Sequence, residues 1–233
     1  MGYDSLRHTR RHGRAHLRTG LAALAALALV TLVAACGGST VTAGSGNVRT
    51  ENRPVPGFDS VEFASAGTLT IEQTGTGSLE IRADDDLLPL LTSEVQGTTL
   101  KLGIREGSIP ADATISYRVT VGQLTGLTVS GAGAVTVTGI DGPEVAVTHG
   151  GAARVVMSGW VTRQVVDLTG VGEYAAADLT SEEADVTVSG AGSAVVDVSR
   201  TLQARVTGVG SIEYEGNPQV TQEVTGLGQV GRR

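Results

Sequence analysis

Ser189-Gly190-Ala191-Gly192 and Thr207-Gly208-Val209-Gly210 are two members of a series whose spacing decides the fold. The others are Ser130-Gly131-Ala132-Gly133, His149-Gly150-Gly151-Ala152, Thr169-Gly170-Val171-Gly172 and Thr225-Gly226-Leu227-Gly228. Their first glycines lie 19, 20, 20, 18 and 18 residues apart. A period of that size, with alternating residues between the stations, marks a chain that winds one coil per repeat.

Working outward from each station, the side chains alternate. Two and four residues past the second glycine stand Val135 and Val137, Tyr174 and Ala176, Ala194 and Val196, Ile212 and Tyr214, then Val230. Two residues before the first glycine stand Val129, Leu168, Val188, Val206 and Val224. Alternation of this kind predicts strands with one buried face. Coils stacked about 4.8 Å apart would align these residues into apolar ladders inside. The residue before the first glycine is Ser, His, Thr, Ser, Thr and Thr in turn, which predicts a polar ladder on one edge with His149 in register with Ser130 and Thr169. The glycines are expected at corners because glycine takes positive φ without a Cβ clash. With 33 glycines and 3% aromatic residues, the interior should be slim and aliphatic. The last residues, Gly231-Arg232-Arg233, break the pattern and add charge, which would discourage end-to-end growth.

The half before Gly131 is less regular. Val61–Phe63, Thr68–Glu72, Leu79–Arg82, Thr99–Leu102 and Thr114–Val121 read as strands. Asp84-Asp85-Asp86-Leu87-Leu88-Pro89-Leu90-Leu91 places acids ahead of a proline and an apolar cluster, the pattern of a short helical or turn cap. The fold class is therefore all-β: a parallel β-helix or β-solenoid of ~18–20-residue coils with that cap at its N-terminal end.

Residues 1–35 read as an export signal. Arg7, Arg10, Arg11, Arg14 and Arg18 precede an apolar run from Leu21 to Ala35, too short to span a bilayer comfortably. The run ends Leu32-Val33-Ala34-Ala35-Cys36-Gly37, which is similar to a bacterial lipobox, so Cys36, the only cysteine, is the expected lipidation site. Arg10-Arg11 is a weak twin-arginine signal, and the export route, Sec or Tat, stays open. Residues 36–57, small, polar and turn-rich, read as the lipidated cysteine and a flexible tether, and residues 58–231 as the solenoid domain. Loss of the signal leaves 12 basic against 23 acidic side chains, a balance that disfavours nucleic acid and anionic headgroups.

The chemistry-bearing residues are few. Calcium-binding β-rolls need Asp two residues past the last glycine of each repeat, where this chain holds Val135, Tyr174, Ala194, Ile212 and Val230. Asp84, Asp85 and Asp86 form the densest carboxylate cluster and are the candidates for a weak surface cation site, against the plainer reading of a helix start. His149 is the one histidine left after processing, and no Gly-x-Ser-x-Gly elbow accompanies it. Gly170-Val171-Gly172-Glu173-Tyr174-Ala175 superficially matches a dinucleotide pattern, but no helix opens there. Neither a cofactor nor a metal centre is expected. Trp160 lies between stations and could offer a flat apolar face to a sugar ring or partner, or simply cover a corner of the core.

Several ordered motifs carry a resemblance. Phe58-Asp59-Ser60-Val61, Ala83-Asp84-Asp85-Asp86-Leu87-Leu88, Val95-Gln96-Gly97-Thr98-Thr99-Leu100, the repeated Ser/Thr-Gly-x-Gly, and Ile212-Glu213-Tyr214-Glu215-Gly216-Asn217-Pro218 are similar to the head GIN family of bacterial exported domains, whose label is adhesin. The resemblance covers Phe58 to about Gly231. It implies a right-handed β-helix-like fold and an envelope location, and supplies no catalytic residues. The departure is the second station, His149-Gly150-Gly151-Ala152, which should make that corner irregular.

The expectation is thus a non-enzymatic, lipid-anchored protein on the outer face of the cell membrane, presenting a surface to an envelope protein, a polysaccharide or a second copy. A carbohydrate-acting β-helix enzyme is the alternative, disfavoured because Arg154, Arg163, Arg200 and Arg205 look scattered rather than convergent. An envelope sensory or regulatory module is a further one.

Overall fold

A computed structural model describes residues 44–105, 109–110 and 113–233. The signal segment, Cys36 and the first part of the tether lie outside the described residues.

Alternation with period two becomes four long strands that wind through the regular half: β9 (Ala132–His149), β10 (Ala152–Leu168), β11 (Glu173–Val188) and β12 (Ser193–Val206), numbered in chain order over the fifteen strands among the described residues. Each lies parallel to the next and one coil above it. The last turn is divided into β13 (Ser211–Gly216) and β14 (Gln219–Val224), both stacked on β12, and β15 (Gln229–Arg232) closes on β13. Val155 pairs with Val135 and Tyr174, Tyr174 with Ala194, and Ala194 with Ile212, so one apolar column runs through the interior. All five are buried. Full burial of such a side chain contributes roughly 1.5–3 kcal/mol, and the column repeats it at every coil. The column runs on to Val230 above Ile212, and Val220 and Val224 stand above Leu202 and Val206, while two neighbouring rungs are polar: Arg232 above Tyr214 and Gln222 above Ala204.

The irregular half is a doubled-back version of the same coil. β2 (Ser60–Phe63) and β3 (Ala66–Gln73) stack on β8 (Gly126–Val129) and β9. The intervening chain forms β4 (Ser78–Asp84), β5 (Leu91–Gln96), β6 (Thr99–Ile104) and β7 (Ser116–Val121). β6 and β7 lie parallel to β2 and β3 on their other side, supplying the coil beneath. β4 and β5 then pair antiparallel to β7 and β6. The chain of Asp84 to Leu91 holds a single 3-10 turn at Leu88–Leu90, with Pro89 in it and Leu87 and Leu88 buried. Phe63 and Tyr117 meet edge to face here, 5.7 Å between centroids, and the Tyr117 hydroxyl bonds Ser65 Oγ at 2.7 Å.

The stretch read as tether up to Gly57 contains a strand, β1 (Val48–Arg53), paired antiparallel with β4. Its side chains are almost all exposed. An exposed edge strand held by its backbone ladder and by Arg53, which donates to the Leu88 and Leu91 carbonyls, carries no apolar alternation, so its sequence looks like linker.

Two readings of the stations need correction. Thr169 N bonds His149 O, just as Ser189 N bonds Leu168 O, and Val129 and Leu168 are the rung partners of His149. His149 therefore belongs to the buried column, and Gly150 takes the place of Ser130 and Thr169 in the polar ladder. The second station is Gly150-Gly151-Ala152, one residue on from where the glycine count put it. The glycines' reason also differs. Gly131, Gly151, Gly170, Gly190, Gly208 and Gly226 do not occupy the positive-φ region, in which the stations place only Gly133. A Cβ on any of the six would instead collide with a backbone carbonyl of the coil below. Close stacking, not turn conformation, demands glycine there.

Candidate ligand surface

Outward residues at the start of β10, β11, β12 and β13 line a recess. Arg154 pairs in register with Glu173, Glu173 with Ser193, and Ser193 with Ser211. Small side chains (Ala175, Val195, Ser193, Ser211) make a floor between an Arg154–Glu173 ion pair at one side and Glu213 and Arg233 at the other. The groove holds about 440 Å³ and crosses successive coils. That volume falls in the range of small-ligand sites, but its floor is open sheet, better suited to an extended chain than to an enclosed molecule. The ladder arithmetic of the sequence contained this groove; aligning coils by register would have placed Glu173, Ser193 and Ser211 beside Arg154. The sequence reading singled out none of the three.

Trp160 stands at another corner, in register with Asp141 and Thr180 and next to Gly159. It is 43% exposed. Gly159 takes φ +135°, and a Cβ there would strike the Ile140 carbonyl, so the corner that carries the indole is tightly built.

Asp84, Asp85 and Asp86 turn toward the segment before β1. Ser45 Oγ donates to Asp85 Oδ1 at 2.6 Å and Asn47 Nδ2 to Asp85 Oδ2 at 2.7 Å. The backbone N–H groups of Gly46 and Ser45 donate to Asp84 and Asp86 at 3.3 and 3.2 Å. The Ser45 and Asn47 bonds hold the Asp85 carboxyl below the usual carboxylate range, against a small opposing effect of burial. These oxygens are occupied in clasping the chain, and among the described residues no group of three His, Cys, Asp or Glu side chains is placed to hold a metal.

Two buried polar features lie inside the coil. Gln164 Nε2 donates to Ser181 Oγ at 2.8 Å, Ser181 Oγ to Asp197 O at 2.8 Å, and the Tyr174 hydroxyl to Gln164 Oε1 at 3.1 Å. Burial pushes the Tyr174 phenol well above its ordinary range. The network is neutral and internally satisfied, a structural strut. His149 Nε2 bonds the Ala153 carbonyl at 2.7 Å, which assigns the proton to Nε2, and its Nδ1 is buried without a partner. The ring fits because Gly172 has no Cβ to meet it.

The arginines that looked scattered are ordered. Arg200 bonds Glu182 and Glu183 at 2.7 and 2.9 Å, Arg205 bonds Glu223 at 3.0 Å, and Arg163 lies 3.7 Å from Glu144 and 3.9 Å from Asp185. With Arg154–Glu173 they tie neighbouring coils together. Each exposed pair contributes at most about 1 kcal/mol.

Among solved structures, a "putative adhesin" from Bacteroides fragilis NCTC 9343 aligns over 82% of this chain and 99% of its own, with TM-score 0.68 and 21% identity. That likeness is one of fold. A "putative lipid binding protein" from Parabacteroides distasonis ATCC 8503 covers 82% and 98% at TM-score 0.48 and 20% identity. A "putative adhesin" from Parabacteroides merdae ATCC 43184 covers the same shares at 0.47 and 21%. No curated protein matches the chain. The family model described as "putative auto-transporter adhesin, head GIN domain" matches residues 57–218, so the chain belongs to the head GIN domain family.

Proposed function

We propose that this protein is a non-enzymatic, lipid-anchored envelope protein whose solenoid flank binds an extended partner, with polysaccharide the favoured class. The observation that carries the reading is the sheet-floored groove from Arg154 and Glu173 to Glu213 and Arg233, which crosses successive coils instead of closing around a reacting centre. Arg163, Arg200 and Arg205 pair with carboxylates away from the groove, which supports the reading, because polysaccharide cleavage needs carboxylates and cations converging on one bond. Membership of an adhesin family agrees with a surface role. In this reading residues 1–35 direct export and are removed, Cys36 carries the lipid on the outer face of the membrane, and Trp160 adds an apolar platform at the corner.

The test uses the full chain in envelopes. Incorporation of labelled fatty acid should be lost in Cys36→Ala. Retention on a polysaccharide array should saturate and fall at least fivefold in Trp160→Ala. Labelling that survives the cysteine substitution would remove the anchor from the reading, and no retention of the parent chain on any polysaccharide would remove the ligand class.

A further inference from the structure

The middle residue of each Gly-x-Gly station points away from the coil. Ala132, Ala152, Val171, Ala191, Val209 and Leu227 are all exposed, the three branched members at 68%, 60% and 90% for Val171, Val209 and Leu227. Successive members are tied coil to coil: Val171 N bonds Gly151 O, Ala191 N bonds Gly170 O, Val209 N bonds Gly190 O and Leu227 N bonds Gly208 O. The column begins one coil earlier at Ala66, which is half-buried. At about 4.8 Å per coil the six exposed members form an apolar ridge about 24 Å long. Glycines on both sides of every member but Ala152, which Gly151 precedes and Ala153 follows, keep it proud of its surroundings. Isolated exposed valines need no explanation, whereas a continuous row does.

The order of sizes along the ridge is small, small, large, small, large, large. Reversed and laid against itself, it pairs Ala132 with Leu227, Ala152 with Val209, and Val171 with Ala191, each alanine meeting a larger side chain. The same reversal treats the flanking outward residues consistently. Glu223 meets Thr128, Arg205 meets Thr148, Asp167 meets Thr187, Arg154 meets Ser211 and Glu173 meets Ser193. Every charge faces a hydroxyl, and no like charges meet. A parallel arrangement instead puts alanine on alanine, leucine on leucine, and Asp167 beside Glu173. We propose that this ridge is a self-association surface, on which a second copy of the chain docks antiparallel about a two-fold axis between the Val171 and Ala191 coils.

Six small side chains bury far less than the roughly 800 Å² per partner of a standard stable interface. Pairing is therefore weak in dilute solution and fills when copies share a membrane and a high local concentration. That last step rests on the anchoring proposed above; the register of the ridge does not.

Two tagged copies of the full chain, one Ala152→Cys and one Val209→Cys, are co-expressed, and their envelopes are treated with a mild oxidant. The mixed dimer should exceed by at least fivefold the background of the parent chain, whose one cysteine is Cys36. Each variant alone should stay at background, and Ala191→Glu in both copies should abolish the mixed dimer. Both ridge positions are exposed, so the cysteines leave the core untouched. Coupling of either variant with itself would overturn the antiparallel register, and absence of coupling in envelopes and in the concentrated purified chain alike would overturn the surface. Coupling in the concentrated chain but not in envelopes would uphold the ridge and count against the shared membrane.

Discussion

Replacing Gly190 by alanine separates the two reasons for which a solenoid corner could need glycine. Gly190 lies outside the positive-φ group, so a side chain meets no conformational penalty. Its Cβ, however, would lie 2.0 Å from the Gly170 carbonyl oxygen, more than 1 Å inside van der Waals contact. That oxygen already accepts the Ala191 N–H at 3.1 Å, and Gly190 N bonds Leu168 O at 3.3 Å, so the backbone cannot turn away for free. Relief requires the coils to part at this corner, losing both bonds at about 1 kcal/mol each, and overpacking adds about 1–3 kcal/mol. The expected loss is about 3–5 kcal/mol, or about 6–20 °C in the melting temperature of a domain this size. Circular dichroism of the strand signal on heating reads it. Gly57→Ala, with open space around the Cβ and no positive φ, should change stability by less than about 0.5 kcal/mol. Gly75→Ala, in open space at φ +94°, should fall between, at about 1–2 kcal/mol. If Gly190→Ala melted with Gly57→Ala, the close-stacking account of the stations would be refuted.

Gln164→Ala should cost about 2–4 kcal/mol by urea titration, because it opens a cavity and leaves the Tyr174 hydroxyl unbonded; a loss under 1 kcal/mol would show the strut to be dispensable. His149→Leu should raise stability by about 1 kcal/mol, since it removes a buried Nδ1 without a partner from a column shared with Val129 and Leu168; a marked drop would mean that the bond to Ala153 outweighs it. The Asp85 clasp depends on pH. Its folded pKa is depressed, so its contribution is present above the unfolded carboxylate value of about 3.9 and is lost as pH falls through the lower folded value. Hydrogen exchange at Ser45–Asn47 should therefore quicken in that acid window ahead of the coil core, and Asp85→Asn should bring the fast exchange to neutral pH.

Most of the coil was legible in the sequence because its two periods are both strict. Alternation located Val135, Tyr174, Ala194 and Ile212 on one buried column, and the glycine spacing set the coil length; Val155, their partner in the irregular second coil, was missed. The register slip at His149 was not legible by counting glycines, because Gly150-Gly151 offers two equivalent choices. Only the demand that a rung partner of Val129 and Leu168 be buried resolves it. β1 escaped notice because an exposed edge strand carries no apolar alternation, and the bonds of Asp84–Asp86 to Ser45 and Gly46 were not legible because those partners stand some 40 residues away. The groove was hidden in plain sight, since Arg154, Glu173, Ser193 and Ser211 are neighbours only after the coils are stacked.

The account's central claim, that the flank holds a ligand without transforming it, is tested most directly by one incubation. The full chain is mixed with the polysaccharide that its envelopes retain, and bound polymer and newly released reducing ends are measured together over time. The account predicts saturable retention with no reducing ends above the buffer control, and loss of retention in Trp160→Ala. Reducing ends that accumulate in proportion to protein, and vanish on substitution of Glu173 or Glu213 in the groove, would contradict it and make the solenoid an enzyme.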